Sequence, residues 1–194
     1  MPRSPVTQRT RHLTRTVRSQ VTTLAGTVGA TWTAFAVNGV TGGALMAYGV
    51  VPRTQSGLRG ILFAPFLHAN LAHLVANTVP FLAMGWLVML RDRRHFLPVT
   101  LFAMLGSGLT AWLLGAPGSV HIGASGVVFG YFGFLLLGGW YARSVGSIAL
   151  SVLVAAVWGG LVLGIAPGQD GISWQSHLGG FMAGVLAARR YRTR

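Results

Sequence analysis

The sequence predicts an all-α membrane protein, a bundle of six membrane-spanning helices. Three observations predict it. Apolar residues make up 52% of the 194 residues and charged residues only 9%, whereas a soluble domain carries about a quarter charged residues to cover its surface. The charges gather in short clusters separated by long charge-free runs, which a bilayer solvates and water does not. The arginines also gather at every second break between those runs, which places nearly all of them on one side.

Taken in order, residues 1–18 hold Arg3, Arg9, Arg11, Arg15 and Arg18 among Thr and Ser. They read as part of a basic cytoplasmic tail, set at 1–20. The same stretch resembles a signal-peptide or transit-peptide start, with Ala34-Phe35-Ala36 as a cleavage site. The uncharged run from Ser19 to Pro52 is too long for such an apolar region, so a first spanning helix over 27–50 is expected instead. The run Gly60–Leu90 holds a short re-entrant piece and a second helix over 68–90. His95–Ala142 is long enough for two spans, and Gly115-Ala116-Pro117-Gly118 interrupts it. Helices over 96–114 and 124–141 follow. Ser144–Gln169 gives a fifth helix over 146–164, and Gly171–Ala188 a sixth over 173–188. The membrane domain is set at 21–190, with a basic C-terminal tail at 191–194.

Six spans put both ends on one side. Counted that way, only Arg53 and Arg59 of the fifteen basic residues face the opposite side. The positive-inside rule makes the arginine-rich side cytoplasmic. The net charge of +13 is thereby explained without nucleic acid. Trp86, Trp112, Trp140, Trp158 and Trp174 lie near helix ends, as interfacial belts require. There is no Cys, which removes disulfides, thiolate metal sites and cysteine nucleophiles. No internal repeat of the kind seen in many transporters is visible.

Polar groups inside spans are costly and point to function. On the second helix His73 and Asn77 are four residues apart and share a face. His68 precedes His73 by five residues and supports from the helix start. Ser125 opens the fourth helix behind Gly123 and Ala124, and His177 lies in the first turns of the sixth. A serine hydroxyl needs a base within about 2.6–3.2 Å, and helices come that close only over small residues. Gly126 and Gly130 on the fourth helix, and Gly180 and Gly184 on the sixth, are Gly-x-x-x-Gly faces. They bring the two helices together beside the serine. Backbone N–H groups at the start of the fourth helix, with the side chains of His73 and Asn77, are candidate donors to an oxyanion, and Gly123 permits the tight turn before them.

A triad would need a carboxylate. Asp92 falls on the arginine-rich side, and Asp170 lies in a loop seven residues before His177. The expected arrangement is a Ser–His dyad, with Phe129 packed on the imidazole. Val127 stands where the nucleophile elbow of soluble hydrolases has its second glycine, and no phosphate loop is present. His68, His73, His121 and His177 share the outer half, but without acids or cysteines beside them no metal site is expected.

These pieces resemble the rhomboid intramembrane serine proteases. The resemblance rests on His68-x4-His73-x3-Asn77, on Gly123-Ala124-Ser125-Gly126 and on His177-x2-Gly180-x3-Gly184. Gly57-Leu58-Arg59-Gly60 with Pro65-Phe66-Leu67-His68 is similar to the family's first outer loop. It covers about residues 40–188 and implies the compact bacterial six-helix form in a plasma membrane, without metal or cofactor. It implies Ser125 as nucleophile, His177 as general base, an oxyanion hole of His73, Asn77 and the Ser125 backbone shaped by Gly123, and support from His68. Phe129 stands where tyrosine is frequent, and Ser176 where alanine is. The implied partners are transmembrane protein substrates and the bilayer, and the oligomeric state stays open. A fifth helix carrying Gly159, Gly160 and Gly164 either moves aside for substrate or uses those glycines for packing. The competing functions are a non-catalytic rhomboid-like binder of membrane clients and a small transporter.

Overall fold

A computed structural model describes residues 5–169 and 171–192. Side chains are described from residue 14 onward, and Asp170 lies outside the described residues. The chain is mostly helical, and among the described residues the β-pairing is a single bridge, Val50 with His121.

Helix α1 runs Pro5–Val40, which corrects the expected 27–50 helix: it starts and ends earlier, and residues 5–20 of the basic segment belong to the same helix. With 36 residues α1 is about 54 Å long, against a hydrocarbon core of about 30 Å. The surplus turns carry the arginines. The helix stops because Gly42 and Gly43 adopt φ of 63° and 90°, a left-handed backbone that glycine accepts without a Cβ clash. Gln20 Nε2 donates to Met89 O at 3.2 Å and Trp32 Nε1 to Thr78 Oγ1 at 3.2 Å, tying α1 to the third helix.

The first loop, 41–70, is packed rather than loose. It holds the short helix α2, Gly60–Phe63, flanked by 3-10 turns. Val50 and His121 exchange two backbone hydrogen bonds of 2.9 Å. Trp112 Nε1 donates to Thr54 O at 2.8 Å, and Arg53 Nη1 to Leu113 O at 2.9 Å.

Helix α3, Leu71–Asp92, is capped by Asn70, whose Oδ1 accepts from His73 N at 2.8 Å. Helix α4 runs Phe96–Leu114 and α5 runs Ser125–Ala142. Between α3 and α4, Arg94 pairs with Asp92 at 2.9 Å. Helix α6, Val145–Trp158, is capped by Ser144 and continues as a 3-10 turn over Gly159–Ile165. The fifth expected helix is thus α-helical only to Trp158. Helix α7 runs Trp174–Arg190 behind its Ser173 cap.

Among the described residues, three segments are long and apolar enough to cross a membrane by length and composition: Leu71–Leu114 (α3 and α4 together), Ser125–Ala142 and Val145–Ile165. Helix α5 is the hub, with most of its residues buried. Glycines set its distance from α7. A methyl group on Gly180 would collide with Gly126 O, and one on Gly184 with Gly130 O. On the other flank of α7, a methyl group on Gly179 would strike Gly106 O of α4. Tyr131 is fully buried between Phe81 and Phe96, its hydroxyl 2.7 Å from Thr100 Oγ1. Helix α6 buries only Val154 and turns Val145, Val152 and Val157 outward. Ser151 ties it to α5 by donating to Leu135 O at 2.7 Å and accepting from Gly139 N at 2.9 Å.

Candidate active site

The glycine seam between α5 and α7 decides what stands at its upper end. Ser125 is the first residue of α5, and His177 lies in the first turn of α7, its N–H bonded to Ser173 O at 3.1 Å. With the backbones in contact below, Ser125 Oγ and His177 Nε2 stand 2.8 Å apart. The other ring nitrogen fixes which atom is basic. His177 Nδ1 lies 2.9 Å from Gly164 O. A carbonyl only accepts, so Nδ1 carries the proton and Nε2 presents its lone pair to the serine hydroxyl.

Phe129, one turn after Ser125, stacks on the imidazole with centroids 4.0 Å apart and planes 8° off parallel. Gly164 closes the third side. A methyl group there would stand 2.9 Å from Phe129 Cζ and 3.2 Å from His177 Nδ1. The ring is therefore held by a hydrogen bond on one edge, an aromatic face and a backbone wall.

Gly123 has φ of 109°. Its N–H donates to Ala64 O at 2.9 Å, anchoring the turn to the first loop. A methyl group on Gly123 would lie 2.7 Å from His73 Nε2 and 3.9 Å from Asn77 Nδ2. A side chain has no room above that Cα, and the position lies within reach of two side-chain nitrogens. Asn77 Nδ2 also donates to His73 O at 2.9 Å, which fixes the amide on α3. Ser125 sits where a helix N–H has no partner within its own helix.

His68 is fully buried. Its Nε2 accepts Ala124 N–H at 3.4 Å, and its ring meets that of His73 edge-on at 4.9 Å. It braces both the turn before Ser125 and the neighbouring imidazole from behind. A cavity of about 620 Å³ opens over the group, lined by His73, Asn77, His121, Ser125, Phe129 and His177 among others.

The structure therefore brings Ser125, His177, His73, Asn77, Gly123, His68 and Phe129 to one place. Gly126, Gly130, Gly180 and Gly184 form the contact beneath it. Two features were not anticipated. The partner of His177 Nδ1 is the Gly164 carbonyl, and a backbone oxygen leaves no mark on a sequence. The second is a contact between His121 and Ser173, whose Nδ1 and Oγ are 2.6 Å apart; only the four-residue offset of each from a site residue hinted at it.

Residues 55–194 match the family model described as Rhomboid domain. An uncharacterized protein of Mycobacterium tuberculosis is 40% identical across 96% of this chain and 80% of its own length. An uncharacterized protein of Mycobacterium leprae is 44% identical across 68% of this chain and 55% of its own. RHOMBOID-like protein 4 of Arabidopsis thaliana is 33% identical across 65% of this chain and 32% of that protein.

Proposed function

The chain belongs to the rhomboid family and is an integral membrane protein, and from that premise we propose that it is an intramembrane serine endopeptidase acting on transmembrane proteins. The observation that carries the reading is the 2.8 Å contact of Ser125 Oγ with His177 Nε2. It is within hydrogen-bond reach and has the tautomer a general base needs.

Ser125 Oγ attacks the carbonyl carbon of the scissile peptide, and its proton passes to His177 Nε2. Gly164 O accepts from Nδ1–H throughout and steadies the imidazolium, without the full charge a carboxylate would bring. The carbonyl oxygen, now negative, settles over Gly123, where His73, Asn77 and the Ser125 N–H donate to it. Each such donor is worth about 2.7–4 kcal/mol in the transition state. The C–N bond breaks as Nε2–H protonates the leaving nitrogen, leaving an acyl-serine. A water entering through the cavity attacks that ester, gives its proton to Nε2, and the serine regains it as the acid departs. The substrate must be unwound locally, because a helical peptide bond is shielded by its own hydrogen bonds.

The reading includes six spans, α1 and α3 to α7, with both ends cytoplasmic in a bacterial plasma membrane. The arginine distribution supports it. The membrane domain is 21–190, between basic segments 1–20 and 191–194. Purified protein in liposomes with single-span membrane proteins is the test. Wild type yields cleaved fragments and Ser125→Ala, equally folded, yields none; cleavage surviving in Ser125→Ala refutes the assignment.

A further inference from the structure

We propose that His121 is a positioning residue for the Ser125–His177 pair, acting through the hydroxyl of Ser173. The inference rests on the reading of Ser125 as nucleophile. His121 is on the segment leading into α5, four residues before Ser125. Ser173 caps α7, four residues before His177. The contacts His121 to Ser173 and Ser125 to His177 therefore both span 52 residues. They form two rungs between the same two segments, and the lower rung is the candidate dyad.

The upper rung has a defined polarity. Ser173 Oγ donates its proton to Ser176 Oγ at 2.7 Å and accepts Ser176 N–H at 3.3 Å. What remains for His121 is a lone pair, so Nδ1–H is the donor across the 2.6 Å contact. On the other edge Nε2 stands 2.9 Å from Ser119 Oγ. That hydroxyl also reaches Ala116 O at 2.7 Å, so its proton has two outlets. It points to Nε2 when the ring is neutral and to Ala116 O when the ring is charged, and the bond to Ser173 survives both states. Burial pushes the His121 pKa below the ordinary imidazole value, which favours the neutral, Nδ1–H ring.

The brace is anchored at its far end as well. The His121 backbone is the partner of Val50 in the two 2.9 Å bonds of the bridge. First loop, serine turn and α7 cap are thus joined at one residue. Helix α7 begins only at Trp174, so without this tie the turn that carries His177 is held laterally by the glycine contacts lower down, by Gly164 and by an exposed bond from Gln175 Nε2 to Leu114 O at 3.4 Å. Catalysis depends on the placement of that first turn to a fraction of an ångström.

The test is the rate at which a fluorophosphonate labels Ser125 in detergent-solubilised full-length protein, beside thermal unfolding of the same samples. His121→Ala is expected to slow labelling about tenfold, the effect of one lost orienting hydrogen bond. His121→Asn, which retains a side-chain N–H close to the backbone, is expected to recover most of the rate. Ser173→Ala, which also removes the cap of α7, is expected to slow labelling at least as much, with the double variant no slower than Ser173→Ala alone. Ser173→Thr is expected to label like wild type. Labelling at the wild-type rate in His121→Ala overturns the proposal. So does a loss that follows the fall in melting temperature and is not recovered by His121→Asn. Wild type that fails to label at all sinks the protease reading itself, a result distinct from either.

Discussion

At the scale of the residue, the candidate site is shaped by atoms that are missing as much as by those that are present. Gly123 lacks a Cβ where His73 Nε2 would be 2.7 Å away, and its φ of 109° is one that other residues adopt at a cost. Gly123→Ala is expected to cut peptide hydrolysis at least tenfold while the helices stay formed, read as cleavage rate beside circular dichroism; full activity would show that the space above Gly123 is not used. Phe129 stacks flat on His177 at 4.0 Å. A tyrosine offers the same face, so Phe129→Tyr should keep most activity, and Phe129→Ala should lose it by lowering kcat more than it raises KM. The roles of Ser125, His177, His73 and Asn77 could be argued from residue type and spacing because each carries a chemically distinctive side chain. Gly164 could not. Its contribution is a carbonyl oxygen that every residue has, and only the fold puts that oxygen 2.9 Å from Nδ1.

At the scale of the element, glycine spacing does two different jobs. The α5–α7 seam was legible because Gly-x-x-x-Gly repeats on both helices and small residues allow close approach. Gly184→Val places its Cβ against Gly130 O, which as backbone cannot yield, and adds two methyl groups to the same seam. Overpacking of this kind costs about 1–3 kcal/mol, so the unfolding temperature should fall and activity with it; an unchanged melt would mean the seam is looser than described. The glycines after α6 separate the two roles considered for them. Nothing lies within 4 Å of a methyl group on Gly160, whereas one on Gly164 meets Phe129 and His177. Gly160→Ala is therefore expected to leave the cleavage rate unchanged, and Gly164→Ala to lower it at least tenfold by displacing the imidazole. Equal effects would assign both glycines to one role, motion of the segment or plain packing. The end of α4 and the start of α5 were readable from Gly115-Ala116-Pro117-Gly118 and from the serine turn. The end of α1 was missed because the uncharged run continues past Thr41-Gly42-Gly43, and the glycine geometry there, not polarity, terminates the helix.

At the scale of the whole molecule, hydropathy and charge asymmetry made the membrane class readable, while tertiary detail stayed hidden. The start of α1 was hidden because a Thr- and Arg-rich stretch resembles a tail, yet as helix it extends beyond the thickness of the bilayer. The packed first loop was hidden because its order comes from long-range bonds such as Trp112 to Thr54 and Val50 to His121. Orientation is testable directly. The chain has no Cys, so a single introduced thiol reports its own side. In intact cells Ala116→Cys should react with an impermeant maleimide and Arg93→Cys should not; the reverse pattern would invert the topology.

The proposed hydrolysis depends most on the proton path from Ser125 Oγ to His177 Nε2. Fluorophosphonate labelling followed by peptide mass spectrometry measures it most directly. The adduct is expected on Ser125 in wild type and absent in His177→Ala, with both proteins folded. Labelling of Ser125 that persists undiminished without the imidazole, or an adduct on another serine, would contradict it.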